Sequence, residues 1–261
     1  MPNYKIIVQY DGTGFSGWQI QPGRTTVQGE ISRALSVITA QRVRVTGSGR
    51  TDSGVHARGQ VANFNVKSRI APDSMKRALN ALLPSTIRIL ECQGVPDSFN
   101  SRFHALEKTY IYTLFRSPLL SPFLGPFCLH FPYPLDLERM QRAADLIVGE
   151  RDFSSFTTRS DKNNHVKKVL QIRVLPRGEL LHIKVRGRGF LRYMVRTIVG
   201  TLLEVGEGKR SPEEMTGILE GKDRSLAGPT APPQGLCLWE VLYPDPNASI
   251  PEAVPEGGDD E

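Results

Sequence analysis

One carboxylate stands in an unusual setting between two strand-like runs, residues 42–45 and 60–65. The stretch that joins the runs, residues 46–57, contains three glycines, an arginine and Asp52, and we call it the Asp52 loop. Glycines let a backbone adopt positive φ or approach another group closely, and loops on rigid scaffolds often carry catalytic side chains. A carboxylate placed there can act as a nucleophile or accept a proton. Asp52 is therefore the candidate reactive group.

Other interpretations of the Asp52 loop compete with catalysis. Its Thr-Asp-Ser-Gly segment also fits an ordinary turn in which the aspartate bonds its own backbone. A P-loop would need Gly-Lys-Ser/Thr at its end, where this chain has Gly49-Arg50-Thr51. A dinucleotide fingerprint would need a third glycine at Asp52 followed by a helix, but the next residues alternate like a strand. The local pattern thus leaves a plain turn and a catalytic loop as alternatives.

The elements that must position Asp52 follow the order β-α-β-β-α-β in the first half of the chain. The patterns predict strands at 4–10, 42–45, 60–65 and 87–92, a helix at 27–38 introduced by a capping box from Thr25 to Gln28, and a helix between Pro72 and Pro84. A loop rich in glycine, residues 11–19, follows the first strand, and its Phe15 and Trp18 are expected to fold onto the core. This element order is typical of the ferredoxin-like fold.

The second half repeats the order without repeating the sequence. We predict strands at 108–114, 169–175, 180–186 and 236–243, helices at 135–148 and 191–204, a hairpin turn at 176–179 and a capping box at 211–214. The chain should therefore be an α+β protein whose two ferredoxin-like, RRM-like lobes, with mainly antiparallel sheets, flank a basic central cleft. The expected lobes are 1–103 and 104–244, and the acidic segment 245–261 should be disordered.

Charge is distributed unevenly along the sequence. The net charge is +6, and six of the 27 acidic residues lie in 245–261, which contains no Lys or Arg, so residues 1–244 carry +12. A body this basic attracts polyanions such as nucleic acid. Charge alone fits a basic soluble surface equally well, but the aromatic residues interleaved with Arg and Lys near the Asp52 loop favour nucleic acid.

Several classes of protein are disfavoured by composition. No apolar run approaches a membrane span, and the chain begins without a signal or transit pattern, so we expect a soluble cytoplasmic protein. The three cysteines are far apart, which predicts neither a disulfide framework nor a Cys-x-x-Cys site. The five histidines show no metal-binding spacing, so no metal is predicted.

The Gly-Arg-Thr-Asp-Ser-Gly-Val-His-Ala run of residues 49–57, followed by Gly59-Gln60-Val61, closely resembles the active-site signature of the tRNA pseudouridine synthase A family. The resemblance continues through four further blocks and covers residues 4–243. These blocks are 10–30, 102–112, 189–200 and 228–236. The chain departs from the family at Tyr193, where a histidine is common before Met-Val-Arg.

This resemblance implies an isomerase that converts uridine to pseudouridine at positions 38, 39 and 40 of the tRNA anticodon stem-loop. It implies no cofactor and a homodimer. Asp52 would attack C1′ or C6 or remove a sugar proton, and these alternatives stay open. Arg196 would pair with Asp52 and lower its pKa by about 1–3. Tyr110 would stack on the target uracil, and Arg50 would enter the RNA where the uridine has flipped out.

Further RNA contacts are expected from basic residues, mostly to the RNA backbone, because duplex RNA hides its major-groove edges. They are Arg24, Arg42, Arg44, Arg58, Lys76, Arg77, Lys167, Lys168, Arg186, Arg188 and Arg192. Two alternatives remain. A non-catalytic module of two RRM-like lobes would require the RRM aromatic motif, which the sequence lacks. An enzyme with the same chemistry but another RNA target fits equally well at Asp52.

Overall fold

The computed structural model describes residues 1–67, 69–158 and 164–244. Within these ranges the protein is a mixed α+β structure with five α-helices and mostly antiparallel strands, as predicted. Two compact units are present: residues 1–106 with the last described residues from 240 onward, and residues 107–239. The predicted tail at 245–261 lies outside the described residues.

The first unit has the predicted element order β-α-β-β-α-β. Its elements are β1 (Asn3–Tyr10), α1 (Val27–Thr39), β2 (Val45–Gly47), β3 (His56–Asn65), α2 (Pro72–Leu82) and β4 (Ile87–Val95). The strands lie in the order β4-β1-β3-β2, and every neighbouring pair is antiparallel. This order places β3, which follows the Asp52 loop, in the interior of the unit's sheet.

Helical periodicity identified the buried face of α1 correctly but not its cap. Ile31 and Leu35 are fully buried, as their spacing predicts. The N-cap is Thr26, whose Oγ1 accepts from the Gly29 N–H at 3.2 Å, so the capping box predicted from Thr25 is wrong. Gln28 makes tertiary contacts instead and donates to the Val45 carbonyl at 2.7 Å.

The strands beside the Asp52 loop differ from the prediction. β2 begins only at Val45, so the predicted strand at 42–45 is wrong, and β3 begins at His56, earlier than the predicted residue 60. Cross-strand pairing of Val45 with Phe64 and of Gly47 with Ala62 fixes this register. The part of the Asp52 loop outside strands is therefore residues 48–55.

The second unit is built on an antiparallel group of strands in the order β5-β9-β8-β7, with the short β6 parallel to β5. Its elements are β5 (Glu107–Phe115), β6 (Leu129–His130), α3 (Leu137–Leu146), β7 (Gly149–Asp152), β8 (Val166–Arg177), β9 (Leu180–Gly187), α4 (Met194–Gly206) and α5 (Glu214–Gly221). The predicted hairpin is confirmed, with Gly178 at φ 60° in the turn. Neither β6 nor β7 was predicted. The last strand, β10 (Leu236–Leu242), spans the boundary at residues 239–240.

Helix α4 begins at Met194 rather than at the predicted residue 191, because Tyr193 has the left-handed conformation, φ 62°. The capping box predicted at 211–214 is present in part, since the Ser211 N–H donates to Glu214 Oε1 at 2.7 Å. Most faces of α4 are buried, and its Gly200 lies directly against the backbone at Pro229. The central helix of this unit therefore depends on a glycine for close packing.

Replacing Gly200 by alanine should destabilise the protein. The added Cβ would overlap the Pro229 carbonyl oxygen, which is backbone and cannot rotate away. We expect a loss of about 1–3 kcal/mol in the free energy of unfolding, measured by urea denaturation. Gly217→Ala in α5 is the control, because its Cβ would meet nothing within 4 Å. Equal stability of Gly200→Ala and wild type would contradict this packing.

Candidate active site

Two side chains, one directly after β2 and one in the middle of β3, anchor the Asp52 loop. The Ser48 N–H donates to the Val61 carbonyl at 2.8 Å. The Ser48 hydroxyl donates to Gln60 Oε1 at 2.6 Å, and the Gln60 amide donates to the Gly49 carbonyl at 2.9 Å. Ser48 and Gln60 are fully buried, whereas Asp52 is half-buried. The loop thus presents Asp52 near the surface from a rigid base.

A second loop, residues 11–19, contacts the backbone on both sides of Asp52, and we call it the glycine loop. The Trp18 N–H donates to the Thr51 carbonyl at 3.1 Å, and the Gly54 N–H donates to the Phe15 carbonyl at 3.3 Å. These bonds join residues more than 30 positions apart in the chain. The backbone around Asp52 is therefore held by tertiary contacts as well as by its own turn.

Glycine is required where the two loops touch. Gly17 has φ 86°, and a Cβ there would lie 2.6 Å from the Thr51 carbonyl oxygen and 3.1 Å from the Asp52 carbonyl carbon. A Cβ on Gly47 would lie 2.6 Å from the Trp18 ring. The glycines of both loops therefore permit close backbone packing.

The aromatic residues of the glycine loop belong to the core. Phe15 and Trp18 are 7% and 1% exposed, which confirms the expectation that they fold inward. Tyr10, at the end of β1, is also buried, and its hydroxyl bonds Thr51 Oγ1 at 2.8 Å. These three rings are packing residues and do not themselves offer a stacking surface for nucleic acid.

In the second unit, the two tyrosines of β5 have different surroundings. Tyr110 is 7% exposed and its ring meets Phe190 edge-on, with 5.2 Å between ring centroids. Tyr112 is fully buried and donates to the Pro232 carbonyl at 2.8 Å. Burial raises the pKa of the Tyr112 phenol above its ordinary value. Both tyrosines are buried, and Tyr110 keeps a small exposed fraction that Tyr112 lacks.

Arg196 lies in the first turn of α4 and is half-buried. Its Nε donates to the Ala231 carbonyl at 2.7 Å, and the Ala231 N–H donates back to the Arg196 carbonyl at 3.1 Å. Its guanidinium carbon lies 5.3 Å from the centroid of the Tyr193 ring, whose other cationic neighbour is Arg192 at 4.7 Å. A cation in the first turn of a helix opposes the helix dipole, and an anion beside such a cation is stabilising.

The remaining predicted contact residues lie mostly at the surface. Arg50 is exposed within the Asp52 loop. Of the predicted RNA contacts, those that are exposed are Arg24, Arg42, Arg44, Arg58, Arg77, Arg188 and Arg192. Those that are half-buried are Lys76, Lys167, Lys168 and Arg186. Nε of Arg186 lies 3.4 Å from Glu107 Oε2, so part of its charge is already balanced.

Two of these arginines line a common groove. Arg42 and Arg44 flank a groove of about 550 Å³ between α1 and the residues leading into β2, together with Arg33, which was not among the predicted contacts. His56 and Asp11 were not predicted as site residues, although His56 lies within the family signature. Nδ1 of His56 is 3.2 Å from Asp11 Oδ1. A histidine close behind Asp52, within the family signature, was the signal in the sequence that could have found this pair.

Within the described ranges, no group of three or more His, Cys, Asp or Glu side chains is arranged to hold a metal ion. The helices in those ranges are also too short or too polar to cross a membrane.

Comparison with known proteins identifies relatives along almost the whole chain. A family profile described as tRNA pseudouridine synthase matches residues 6–104 and 143–244. A tRNA pseudouridine synthase A of Geobacillus sp. (strain WCH70) is 47% identical over 92% of this chain and 97% of the relative. One of Brevibacillus brevis is 45% identical over 93% of this chain and 100% of the relative.

Among solved structures, an H/ACA RNP bound to a substrate RNA containing 2′-deoxyuridine aligns with a TM-score of 0.36 at 15% identity, over 75% of this chain and 44% of that one. That weak likeness carries no argument. The profile and the two relatives confirm the resemblance seen around Asp52: the chain belongs to the tRNA pseudouridine synthase family.

Proposed function

We propose that the protein isomerises uridine to pseudouridine at positions 38, 39 and 40 of the tRNA anticodon stem-loop, with Asp52 as the nucleophile. The observation that carries this proposal is the half-buried Asp52 in a loop anchored by Ser48 and Gln60, within the signature of its family. The relatives named above are tRNA pseudouridine synthases, which supports tRNA as the substrate.

The chemistry is compatible with a single protein carboxylate. The C1′–N1 bond of uridine breaks and a C1′–C5 bond forms, while one proton leaves C5 and one arrives at N1. Nothing is oxidised or reduced, so the overall reaction needs no redox cofactor. Asp52 must be ionised to attack C1′ or C6, and either attack keeps the base available for rotation.

Arg196 and Tyr110 are the proposed partners of this carboxylate. Arg196 would pair with Asp52, and its first-turn position in α4 supports this role because a cation there is stabilised by an anion. Tyr110 would stack on the target uracil, and the edge-on contact with Phe190, which fixes the orientation of its ring, supports this role.

The lobes are proposed to be ferredoxin-like and to flank a basic cleft that receives the stem-loop. The order β4-β1-β3-β2 supports this assignment for the first unit, because it is the strand order of two interleaved β-α-β units. The exposed arginines support electrostatic binding of the RNA backbone. We further propose a cytoplasmic homodimer, the state implied by the family resemblance.

Arg50→Ala should slow conversion of a uridine held in a stem more than conversion of the same uridine in a single strand. A stacked uridine must flip out at a cost of a few kcal/mol, and an inserted arginine would offset part of it. We expect the stem rate at saturating RNA to fall about tenfold or more, measured by single turnover, with little change in affinity.

The control for this prediction is Arg69→Ala. Arg69 is exposed and lies beyond Asn65, at the far end of β3 from the Asp52 loop. A ten-residue strand separates the two ends by about 30 Å. An alternative result is that Arg50→Ala weakens binding of every RNA alike and reduces the slope of log affinity against log salt concentration by about one. That result would make Arg50 a phosphate contact.

The proposed function is tested by a pseudouridine map of an unmodified tRNA with uridines at 38, 39 and 40, incubated with the protein and no added cofactor. Conversion at these three positions is the expected result. Conversion at other positions would keep the reaction and contradict the target. Binding of the tRNA without any conversion would contradict the enzymatic function and favour a non-catalytic RNA-binding module.

A further inference from the structure

His56 connects the end of the Asp52 loop to the beginning of the glycine loop. It is the first residue of β3 and is 5% exposed. Its Nδ1 accepts a hydrogen bond from the buried Gly12 N–H at 3.0 Å. Gly12 also lies directly against the backbone of Val55, since a Cβ on Gly12 would overlap the Val55 carbonyl oxygen. Side-chain and backbone contacts therefore join the two loops at one point.

Asp11 is the second group at this junction. Its Oδ1 lies 3.2 Å from His56 Nδ1 and accepts from the Thr13 N–H at 3.0 Å and from the Thr13 hydroxyl at 2.6 Å. Burial tends to raise the pKa of Asp11, whereas the hydrogen bonds from the Thr13 hydroxyl and N–H lower it, and the net result is a pKa below its ordinary value. Asp11 is therefore a carboxylate at neutral pH and faces the ring edge of His56.

The ring nitrogen cannot serve both neighbours at once. A neutral imidazole with its proton on Nε2 accepts from Gly12 through the Nδ1 lone pair. A proton on Nδ1 would be donated to Asp11, and the buried Gly12 N–H would lose its acceptor, which is costly. The short bond from Gly12 thus assigns the acceptor state to Nδ1, on the basis of the hydrogen-bond network.

A shift at His56 has a short path to Asp52. The Val55 N–H donates to the Asp52 carbonyl at 3.1 Å, which closes the turn between the two residues. The Ser53 hydroxyl and the Gly54 N–H are both bonded to the Phe15 carbonyl of the glycine loop. Any change in spacing between the two loops at Gly12 therefore alters the position of the turn that carries Asp52.

We propose that His56 is the positioning residue of Asp52: by accepting from the Gly12 N–H beside Asp11, its Nδ1 holds the Asp52 loop against the glycine loop in the reactive geometry. The inference rests on the proposed catalytic role of Asp52. His56 acts through the loop and does not touch the substrate. Misplacing a reacting group by about 1 Å can cost on the order of 100-fold in rate.

Two substitutions of similar polarity separate positioning from general packing. His56→Asn places an amide oxygen near the site of Nδ1 and retains the acceptor for Gly12, whereas His56→Gln places its polar end nearer the site of Nε2. We expect His56→Asn to keep single-turnover conversion within about threefold of wild type and His56→Gln to lose about 10- to 100-fold, with the Kd for tRNA unchanged in both.

A second measurement reports on the junction without any chemistry. Hydrogen exchange at the Gly12 and Val55 amides should be faster in His56→Gln than in wild type and should stay slow in His56→Asn. If Asp52→Asn retained turnover, the proposed function would fail, but these exchange rates would still decide whether His56 holds the loop. Asp11→Asn tests the other side of the junction and should give a smaller loss of rate than His56→Gln.

Three results would overturn the inference. The first is equal rates for His56→Gln and wild type. The second is an equal loss in His56→Asn and His56→Gln with unchanged unfolding midpoints, because the acceptor at Nδ1 would then be irrelevant. The third is a loss that appears in the Kd for tRNA rather than in the single-turnover rate, which would make His56 part of RNA binding.

Discussion

Asp52→Asn is expected to lower the rate of pseudouridine formation by on the order of 10,000-fold or more. An amide of nearly the same shape cannot supply the negative charge that attacks the nucleoside. Folding should be preserved, because Asp52 is half-buried and the loop is anchored through Ser48, Gln60 and Thr51. Affinity for tRNA should also change little, since basic residues supply most of the binding.

Loss of the C5 proton to water from tRNA that carries 5-tritiated uridine gives the rate directly. The matched control is Asp97→Asn, a change of one exposed carboxylate whose contact with the N-terminal amine, at 3.6 Å, is solvated and contributes little. Asp97→Asn should retain the wild-type rate. Turnover by Asp52→Asn within tenfold of wild type would end the assignment of Asp52 as nucleophile.

The regular elements were predictable because their signals are local. Ile31 and Leu35 in α1 and Met75 and Leu79 in α2 recur at helical spacing and are buried. Pro72 stands at the first position of α2, where its missing N–H costs nothing. The hairpin between β8 and β9 follows from a glycine turn between alternating runs.

Element boundaries were less predictable because they depend on tertiary contacts. Thr25 and Thr26 are equally good caps by type, and the backbone conformation selects Thr26. Gln28 has capping-box form with Thr25 but bonds to Val45 and to the Ile20 N–H. The sequence pattern predicts that α4 includes Tyr193, yet the positive φ of Tyr193 makes the helix begin at the next residue. A tyrosine rarely has positive φ, and no local sequence signal predicts it here.

The candidate nucleophile was predictable from its motif, whereas the structure around it was not. Asp52 stands within nine consecutive residues that resemble one family, so its role is suggested without any knowledge of the fold. The contacts from Phe15 and Trp18 that hold its backbone cross a separation of more than 30 residues, and no periodicity reports such pairing. Sequence patterns thus select the reactive group, and tertiary packing determines where it points.

Gly17→Ala tests whether packing between the two loops determines the position of Asp52, and it is the second substitution with a large expected effect. Its φ of 86° is unfavourable for alanine, and the new Cβ would lie 2.6 Å from the Thr51 carbonyl oxygen. We expect a loss of about 1–3 kcal/mol in the free energy of unfolding, with a fall of roughly 2–4 °C in the unfolding midpoint for each kcal/mol in a chain of this size. The single-turnover rate should fall on the order of 100-fold, because the peptide group of Asp52 must move.

Gly14→Ala is the control, because it adds the same methyl group to the same loop where nothing lies within 4 Å. It should leave the rate and the unfolding midpoint unchanged. Rates are compared well below both midpoints, so that loss of folded protein does not enter. If Gly17→Ala were less stable but reacted at the wild-type rate, contact between the loops would serve stability alone. A loss of rate larger than the loss of folded protein would show that the glycine loop places the carboxylate, which is the same dependence that His56 tests from the other end of the Asp52 loop.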